Sequence, residues 1–93
     1  MKPSTLIKRG WCQGNYAKTK NGRPTKVNSK AAVKFCILGA IQRSGISTIH
    51  VNMDVLRIVR KLHGNKFDSL SVFNDLPGRK KKDVIKVLKL AGL

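Results

Sequence analysis

Apolar residues recur at helical spacing in three stretches of the chain after residue 28. In an α-helix, residues three or four positions apart share a face, so each stretch predicts a helix with one buried side. The predicted helices cover residues 30–44, 53–63 and 80–91. The inward-facing residues expected on them are Val33, Cys36, Ile37, Ala40 and Ile41, then Val55, Leu56, Val59 and Leu62, and finally Val84, Ile85, Leu88 and Ala91.

Residues that favour helix ends flank the first two stretches. Asn28 or Ser29 is suited to cap the first helix, and Asn52 the second, because these side chains accept hydrogen bonds from free backbone amides. Gly45 is expected to end the first helix in a left-handed conformation, which glycine adopts without steric strain, and Gly64 is expected to end the second.

Shorter elements are predicted on either side of these helices. Residues 3–9 fit one or two helical turns, with Pro3 suited to the first helical position and Gly10 to the residue that ends the turn. Residues 69–73 fit a short strand or a helical turn equally. Pro77-Gly78 then breaks the chain before the last helix.

Residues 11–27 have the character of a β-hairpin rather than a helix. Asn21-Gly22 is a strong turn signal because both residues tolerate a positive φ, and Pro24 restricts its arm to an edge strand at best. Trp11, at the start of this segment, is predicted to lie mostly buried over one end of the helices. The chain is therefore predicted to be a single basic domain, residues 1–93, of the mainly α (α+β) class: three to four helices with a short N-terminal hairpin.

The balance of charges indicates the kind of partner. The chain has 20 Lys and Arg residues against 4 acidic ones, and its net charge is +16. A domain this small has no interior that could hide such charge, and its field attracts polyanions. Like charges at helical spacing weaken each helix by roughly a few tenths of a kcal/mol per pair, which an anionic partner would relieve. The alternative is a solvated surface that only keeps the protein soluble.

The basic residues cluster at the hairpin tip and on two of the predicted helices. With only one Trp, one Tyr and three Phe, and no RRM, KH or zinc-finger signature, contact through phosphates is expected rather than base stacking on aromatic residues. The predicted nucleic-acid-binding residues are Lys18, Lys20, Arg23 and Lys26 at the hairpin, Arg57, Arg60 and Lys61 on the second helix, and Arg79, Lys80, Lys81, Lys82, Lys86 and Lys89 on and before the last helix.

Patterns for catalysis and metal binding are weak. The available cysteines and histidines lack the close paired spacing of structural zinc sites, and no oxyanion-forming glycine loop surrounds either cysteine. We therefore predict no enzyme activity, no metal and no other cofactor. The residues considered are Cys12, Cys36, His50 and His63.

Asn74-Asp75 is the remaining polar pair of interest. Its position just before Pro77-Gly78 is typical of turns. Capping of the last helix and anchoring of the Trp11 segment are the other structural roles open to it, and these structural roles are favoured over catalysis.

Two blocks of the sequence are distinctive. The first joins GWCQG at residues 10–14, NGRP at 21–24 and CILGAI at 36–41, and the second is NDLPGR at 74–79. Together they resemble a family of small proteins of unknown function found in actinobacteria and bacteriophages, over residues 6–91. The resemblance implies a fold in which Trp11, the hairpin and Asn74-Asp75 pack together, and it points to a phage origin. The family's members are much more acidic, and the resemblance brings no activity.

The leading hypothesis is a non-enzymatic protein that binds DNA or RNA mainly through phosphates. The second is a phage-type interaction protein that binds an acidic surface of a host enzyme, defence complex or ribonucleoprotein and inhibits it. The N-terminus lacks a signal peptide, the apolar runs are short and there are only two cysteines. These features predict the cytoplasm, which is the host's if the protein is phage-encoded, and no membrane partner.

Overall fold

The computed structural model describes residues 1–93 and consists of five helices and one antiparallel pair of very short strands. The fold class is the predicted one, a small mainly helical α+β domain, with one helix more than the upper number expected. In chain order the elements are α1 (Pro3–Arg9), β1 (Ala17–Lys18), β2 (Lys34–Phe35), α2 (Ile37–Arg43), α3 (Ile49–His63), α4 (Leu70–Asp75) and α5 (Lys81–Leu90).

Helix α1 connects the N-terminal elements of the fold with its last helix, because it packs against β2, α2 and α5. As predicted, Pro3 lies in its first turn and Gly10 follows its last residue. The Ser4 hydroxyl donates to the carbonyl of Leu93 at 2.8 Å, so this helix also holds the C-terminal residue.

A turn forms at Asn21-Gly22 as predicted, although only Gly22 has a positive φ. The strand that pairs with β1 lies further along the chain. The amide of Gly22, at φ 81°, donates to the Thr19 carbonyl at 2.9 Å. Beyond this turn only a single bridge joins Lys18 to Pro24. The ladder partner of β1 is β2, in which Phe35 lies opposite Ala17. Burial explains the choice, because Phe35 brings a large apolar side chain into the core and Pro24 has no amide to donate.

The first long predicted helix, 30–44, begins later than expected. The amide of Phe35 donates to the Gly10 carbonyl and that of Cys36 to the Tyr16 carbonyl, at 3.0 and 3.2 Å. These two bonds hold the backbone in an extended conformation, so α2 starts only at Ile37. Its cap is the Cys36 side chain rather than Asn28 or Ser29, and Val33 is 45 % exposed rather than inward-facing.

Helix α3 begins earlier than predicted. The Thr48 hydroxyl accepts from the Val51 amide at 3.1 Å and is the cap, so Asn52 lies inside the helix instead of at its start. Val55 and Val59 are fully buried, as predicted, whereas Leu62 is exposed.

The C-terminal third agrees closely with the sequence pattern. The ambiguous segment is helix α4, which Ser69 caps by accepting from the Val72 amide at 3.1 Å. Helix α5 buries Val84 and Leu88 as predicted and adds Val87 to the core. Between the helices lies an aromatic centre in which Phe67 and Phe73 meet edge to face at 5.6 Å. Each helix of the fold falls short of the length and apolar character needed to cross a lipid bilayer.

The hairpin backbone approaches the helices very closely at Gly39, in the first turn of α2. A Cβ atom there would overlap the Tyr16 carbonyl oxygen. In an unconstrained helix, alanine is more stable than glycine by about 1 kcal/mol. Here we expect Gly39→Ala to lower the free energy of unfolding by about 3 kcal/mol, because neither backbone can move aside.

The measurement is chemical denaturation followed by circular dichroism, with Gly45→Ala as the control. A Cβ at Gly45 meets open space, so only its positive φ opposes the change, at about 1 kcal/mol. An unchanged or raised stability in Gly39→Ala would contradict the packing described here.

Candidate nucleic-acid interface

Asn74, at the end of α4, is the polar centre of the molecule. Its side chain is fully buried and makes four hydrogen bonds. The Oδ1 atom accepts from the Trp11 indole at 2.8 Å and from the Ile37 amide at 3.0 Å. The Nδ2 group donates to the Cys12 carbonyl at 3.1 Å and to Asp75 Oδ1 at 2.8 Å. One amide side chain therefore joins three segments that are distant in the sequence.

The residues beside Asn74 extend this network to the start of the hairpin. Gln13 Nε2 donates to the Asn74 carbonyl at 2.9 Å, and the Gly14 amide donates to Asp75 Oδ1 at 3.0 Å. Of the structural roles considered for Asn74-Asp75, the structure shows anchoring of the Trp11 segment. The expectation that Trp11 is mostly buried agrees with the structure: the side chain packs against the core, and its indole N–H is held by Asn74.

The two cysteines are structural thiols. Both are buried and free. Burial, with a smaller effect of the neighbouring Cys36 thiol, raises the pKa of Cys12 to about 11. Burial likewise raises the pKa of Cys36, although its sulfur accepts from the Gly39 amide at 3.3 Å. Because the thiolate is the reactive form, neither group is set up as a nucleophile.

The two histidines lie at opposite ends of α3. The helical rise places His50 and His63 about 20 Å apart, so they cannot share a metal ion. The ring of His63 stacks at 4.9 Å on Phe73 and lies beside Arg79. Burial, followed by the charge of Arg79, lowers the pKa of His63 below its ordinary value of 6.5.

Arg79 is turned into the protein instead of lying on the predicted basic surface. Its side chain is only 8 % exposed. The guanidinium lies 4.0 Å above the Phe73 ring, and its Nε donates to the Phe73 carbonyl at 2.9 Å. Asp83 lies 3.8 Å from it. This residue therefore holds α4 against α5 and is not available to a phosphate.

The other predicted basic residues lie at the surface, on three parts of the fold. The hairpin presents one group, the outer face of α3 a second, and α5 with the residue before it a third. Lys18 and Lys81 are half-exposed, and the exposed ones are Lys20, Arg23, Lys26, Arg57, Arg60, Lys61, Lys80, Lys82, Lys86 and Lys89.

Most arginines are engaged within the fold, whereas the lysines have no carboxylate partner. Arg60 Nε donates to the Phe67 carbonyl at 2.9 Å, and Arg57 pairs with Asp54 at 3.0 Å. The only other ion pair is that of Arg79. Both arginines on the predicted surface of α3 therefore already have a partner within the protein.

The few acidic groups are also engaged. Asp75 bonds to Gly14 and Asn74, Asp83 accepts from the Lys80 amide at 3.2 Å, and Asp54 pairs with its neighbour. Only the exposed Asp68 makes no such contact. Three of the four carboxylates are thus engaged with backbone amides or arginines, and none of them pairs with a lysine.

The strand pair brings two lysines directly together. Lys18 and Lys34 are partners in the β1–β2 register. Like charges directly opposite each other across two strands are destabilising. The helical periodicity of residues 30–44 predicts Lys34 on a helix, and the predicted hairpin ends before residue 28. The pair of Lys18 and Lys34 was therefore not expected from the sequence.

The arrangement defines a small α+β domain with a buried amide centre and an uncompensated basic surface. Residues 4–92 match DUF6197, a family of unknown function, and the chain belongs to that family. No curated protein and no solved structure is detectably similar to it.

Loss of the Asn74 side chain should disconnect the hairpin from the helices. We expect Asn74→Ala to lower the free energy of unfolding by more than about 3 kcal/mol, because several buried groups lose their partners at once. Asn65→Ala, at an exposed loop residue, is the matched control and should change little. Chemical denaturation of both variants measures the difference, and equal stabilities would show that Asn74 does not hold the segments together.

The lowered pKa of His63 makes stability dependent on pH. The unfolded chain binds the proton more readily than the folded one, so stability should decrease as the pH falls below about 6.5. Above that value the ring is neutral in both states and contributes no dependence. We expect thermal melts between about pH 7.5 and pH 5.5 to show this loss, and His63→Gln to remove it.

The control is His50→Gln, at the exposed histidine. It should retain the pH dependence of the unaltered protein. A dependence that survives in His63→Gln would assign the effect to another group.

Proposed function

We propose that this protein is a small, non-enzymatic nucleic-acid-binding protein that contacts DNA or RNA mainly through phosphates. The observation that carries the proposal is the direct opposition of Lys18 and Lys34 within a fold whose carboxylates are engaged elsewhere. A phosphate placed between the two ammonium groups would replace their repulsion with two favourable contacts.

Helix α5 supports the same proposal. Lys82, Lys86 and Lys89 are exposed on one face, while Val84 and Leu88 are fully buried on the other. The lysines follow at intervals of four and three residues, so their charges repel each other along the helix. A row of this kind, attached to a rigid core, suits a row of phosphates.

The types of cation favour contact with the backbone over base reading. Lysine is a compact point charge, whereas the planar fork of arginine can bond two acceptors of a base edge. On the proposed surface, only Arg23 at the hairpin tip has a guanidinium without a partner in the protein; Arg57 and Arg60 are held by Asp54 and Phe67. Affinity with little sequence preference is the expected result.

The proposed interface consists of the hairpin, the exposed face of α3 and the lysines of α5, and Arg79 is left out because the fold uses it. We propose that the protein acts in the cytoplasm. If its resemblance to a family with bacteriophage members reflects a phage origin, this is the cytoplasm of the host. An acidic host protein or ribonucleoprotein is the partner to consider if nucleic acid fails the test below.

Binding should weaken steeply with salt. If about six cations contact phosphates, log K should fall against log salt with a slope near −5 for duplex DNA, because each contact contributes about −0.9. Fluorescence anisotropy with labelled duplex and single-stranded probes, from about 50 mM salt upward, measures the slope. No binding at the lowest salt would refute the proposal and favour a protein partner.

Paired variants separate a built surface from overall charge. Lys82→Ala with Lys86→Ala should flatten the slope by about 2. Lys2→Ala with Lys66→Ala removes the same charge outside the proposed surface and should change the slope much less. Equal effects of the two pairs would reduce the interaction to non-specific attraction.

A further inference from the structure

A cavity of about 490 Å³ lies beside the hairpin, between α1, the residues before β2 and the end of α2. Its volume is within the range of small-molecule sites, roughly 300–1,000 Å³. Most of its wall is apolar, from Met1, Leu6, Ala32, Val33 and Phe35. The remaining lining residues are two arginines, Arg9 and Arg43.

Arg43 is held in place at the wall of this cavity. Its Nη1 group donates to the carbonyls of Val27 and Ser29, at 2.6 and 2.9 Å. Its guanidinium carbon lies 5.7 Å from the centre of the Phe35 ring. The side chain is thus fixed by two hydrogen bonds and by contact with an aromatic ring, and little freedom would be lost when it binds a ligand.

No carboxylate neutralises this guanidinium. The only ion pairs of the protein are those of Arg57 and Arg79. A half-buried charge beside an apolar space usually has an opposite charge next to it. A ligand with an anionic group would supply the missing opposite charge. Arg9, at the exposed end of α1, adds a second cation to the same cavity.

The lining therefore fits a ligand with a flat apolar body and an anionic group. The cavity also adjoins the basic hairpin, because the amide of Val33 donates to the Lys18 carbonyl at 3.0 Å and Lys34 follows in the chain. Nucleotides combine the two properties, and guanidinium planes are known surfaces on which unpaired bases stack.

We propose that this cavity takes one unstacked base of a single-stranded nucleic acid, with a neighbouring phosphate between Arg9 and Arg43. The inference rests on the proposed function and deepens it, because it assigns single strands as the preferred partner. It adds one base contact to the expected phosphate contacts: where aromatic residues are scarce, the Arg43 guanidinium beside Phe35 offers the surface for the base.

The test compares single-stranded ten-nucleotide oligomers that carry bases with abasic oligomers of equal length and charge. The base-bearing strand should bind about ten times more tightly, in the range expected for one stacked base. Ala32→Leu places extra side-chain volume in the cavity and should abolish this preference while it leaves the salt dependence unchanged. Ala31→Leu makes the same change at an exposed neighbour and should keep the preference.

A second pair of variants covers the case in which Ala32→Leu disturbs folding, since Ala32 is buried. Val33→Glu adds a carboxylate at an exposed position of the cavity lining, and Val72→Glu adds one at an exposed position of α4. Both lower the net charge equally. Only Val33→Glu should remove the preference for the base-bearing strand.

The outcomes separate this inference from the proposed function. Equal binding of abasic and base-bearing strands to the unaltered protein would overturn the cavity assignment and leave phosphate binding intact. A preference that survives both Ala32→Leu and Val33→Glu would overturn it as well. Failure of every strand to bind, duplex included, would overturn both proposals.

Discussion

The fold depends on one buried amide. Asn74 satisfies a Trp indole, a helix amide and a backbone carbonyl at the same time. It thereby holds α4 to the Trp11 segment and the start of α2, which are also joined to each other by a bridge between Trp11 and Phe35. In a low-dielectric interior such bonds are strong, and their absence would leave several polar groups buried without partners. The position of the hairpin relative to the helices follows from this constraint. Gly39 completes it by allowing the hairpin backbone to touch α2.

The small number of acidic residues also explains why the surface charge is unbalanced. With so few acidic residues, the fold assigns Asp75 and Asp83 to backbone amides instead of to lysines. Arg79 and Arg43 are bonded within the fold, because a planar group with several donors can bond carbonyls and lie near aromatic rings at once. The ammonium group of lysine is compact and strongly hydrated, which favours the surface. The unbalanced surface itself follows from the composition, 20 Lys and Arg residues against 4 acidic ones.

Local signals in the sequence predicted local structure well. Helix α5, the turn at Asn21-Gly22 and the left-handed Gly45 after α2 each depend on neighbouring residues, and each was found as expected. The start of α2 was wrong because the amides of Phe35 and Cys36 bond to carbonyls about twenty residues or more away. A helical periodicity holds no information about such partners.

The candidate site shows the same difference between features set by neighbouring residues and features made by distant segments. The exposed lysines could be assigned from composition and helical spacing alone, whereas Arg79 gave no sign that two phenylalanines would cover it. The opposition of Lys18 and Lys34 needed the strand register, and the cavity needed walls from separate parts of the chain. Features made by distant segments were therefore the ones that sequence reasoning missed.

The facing lysines of the strand pair also affect how firmly the domain folds. Their repulsion is present only when β1 and β2 are paired, so any multivalent anion that bridges them binds the folded chain better than the unfolded one. By mass action, such an anion raises the folding equilibrium constant by a factor that grows with its free concentration relative to its dissociation constant. The stability of this small domain is then not a fixed quantity of the chain, but varies with the polyanions in its surroundings.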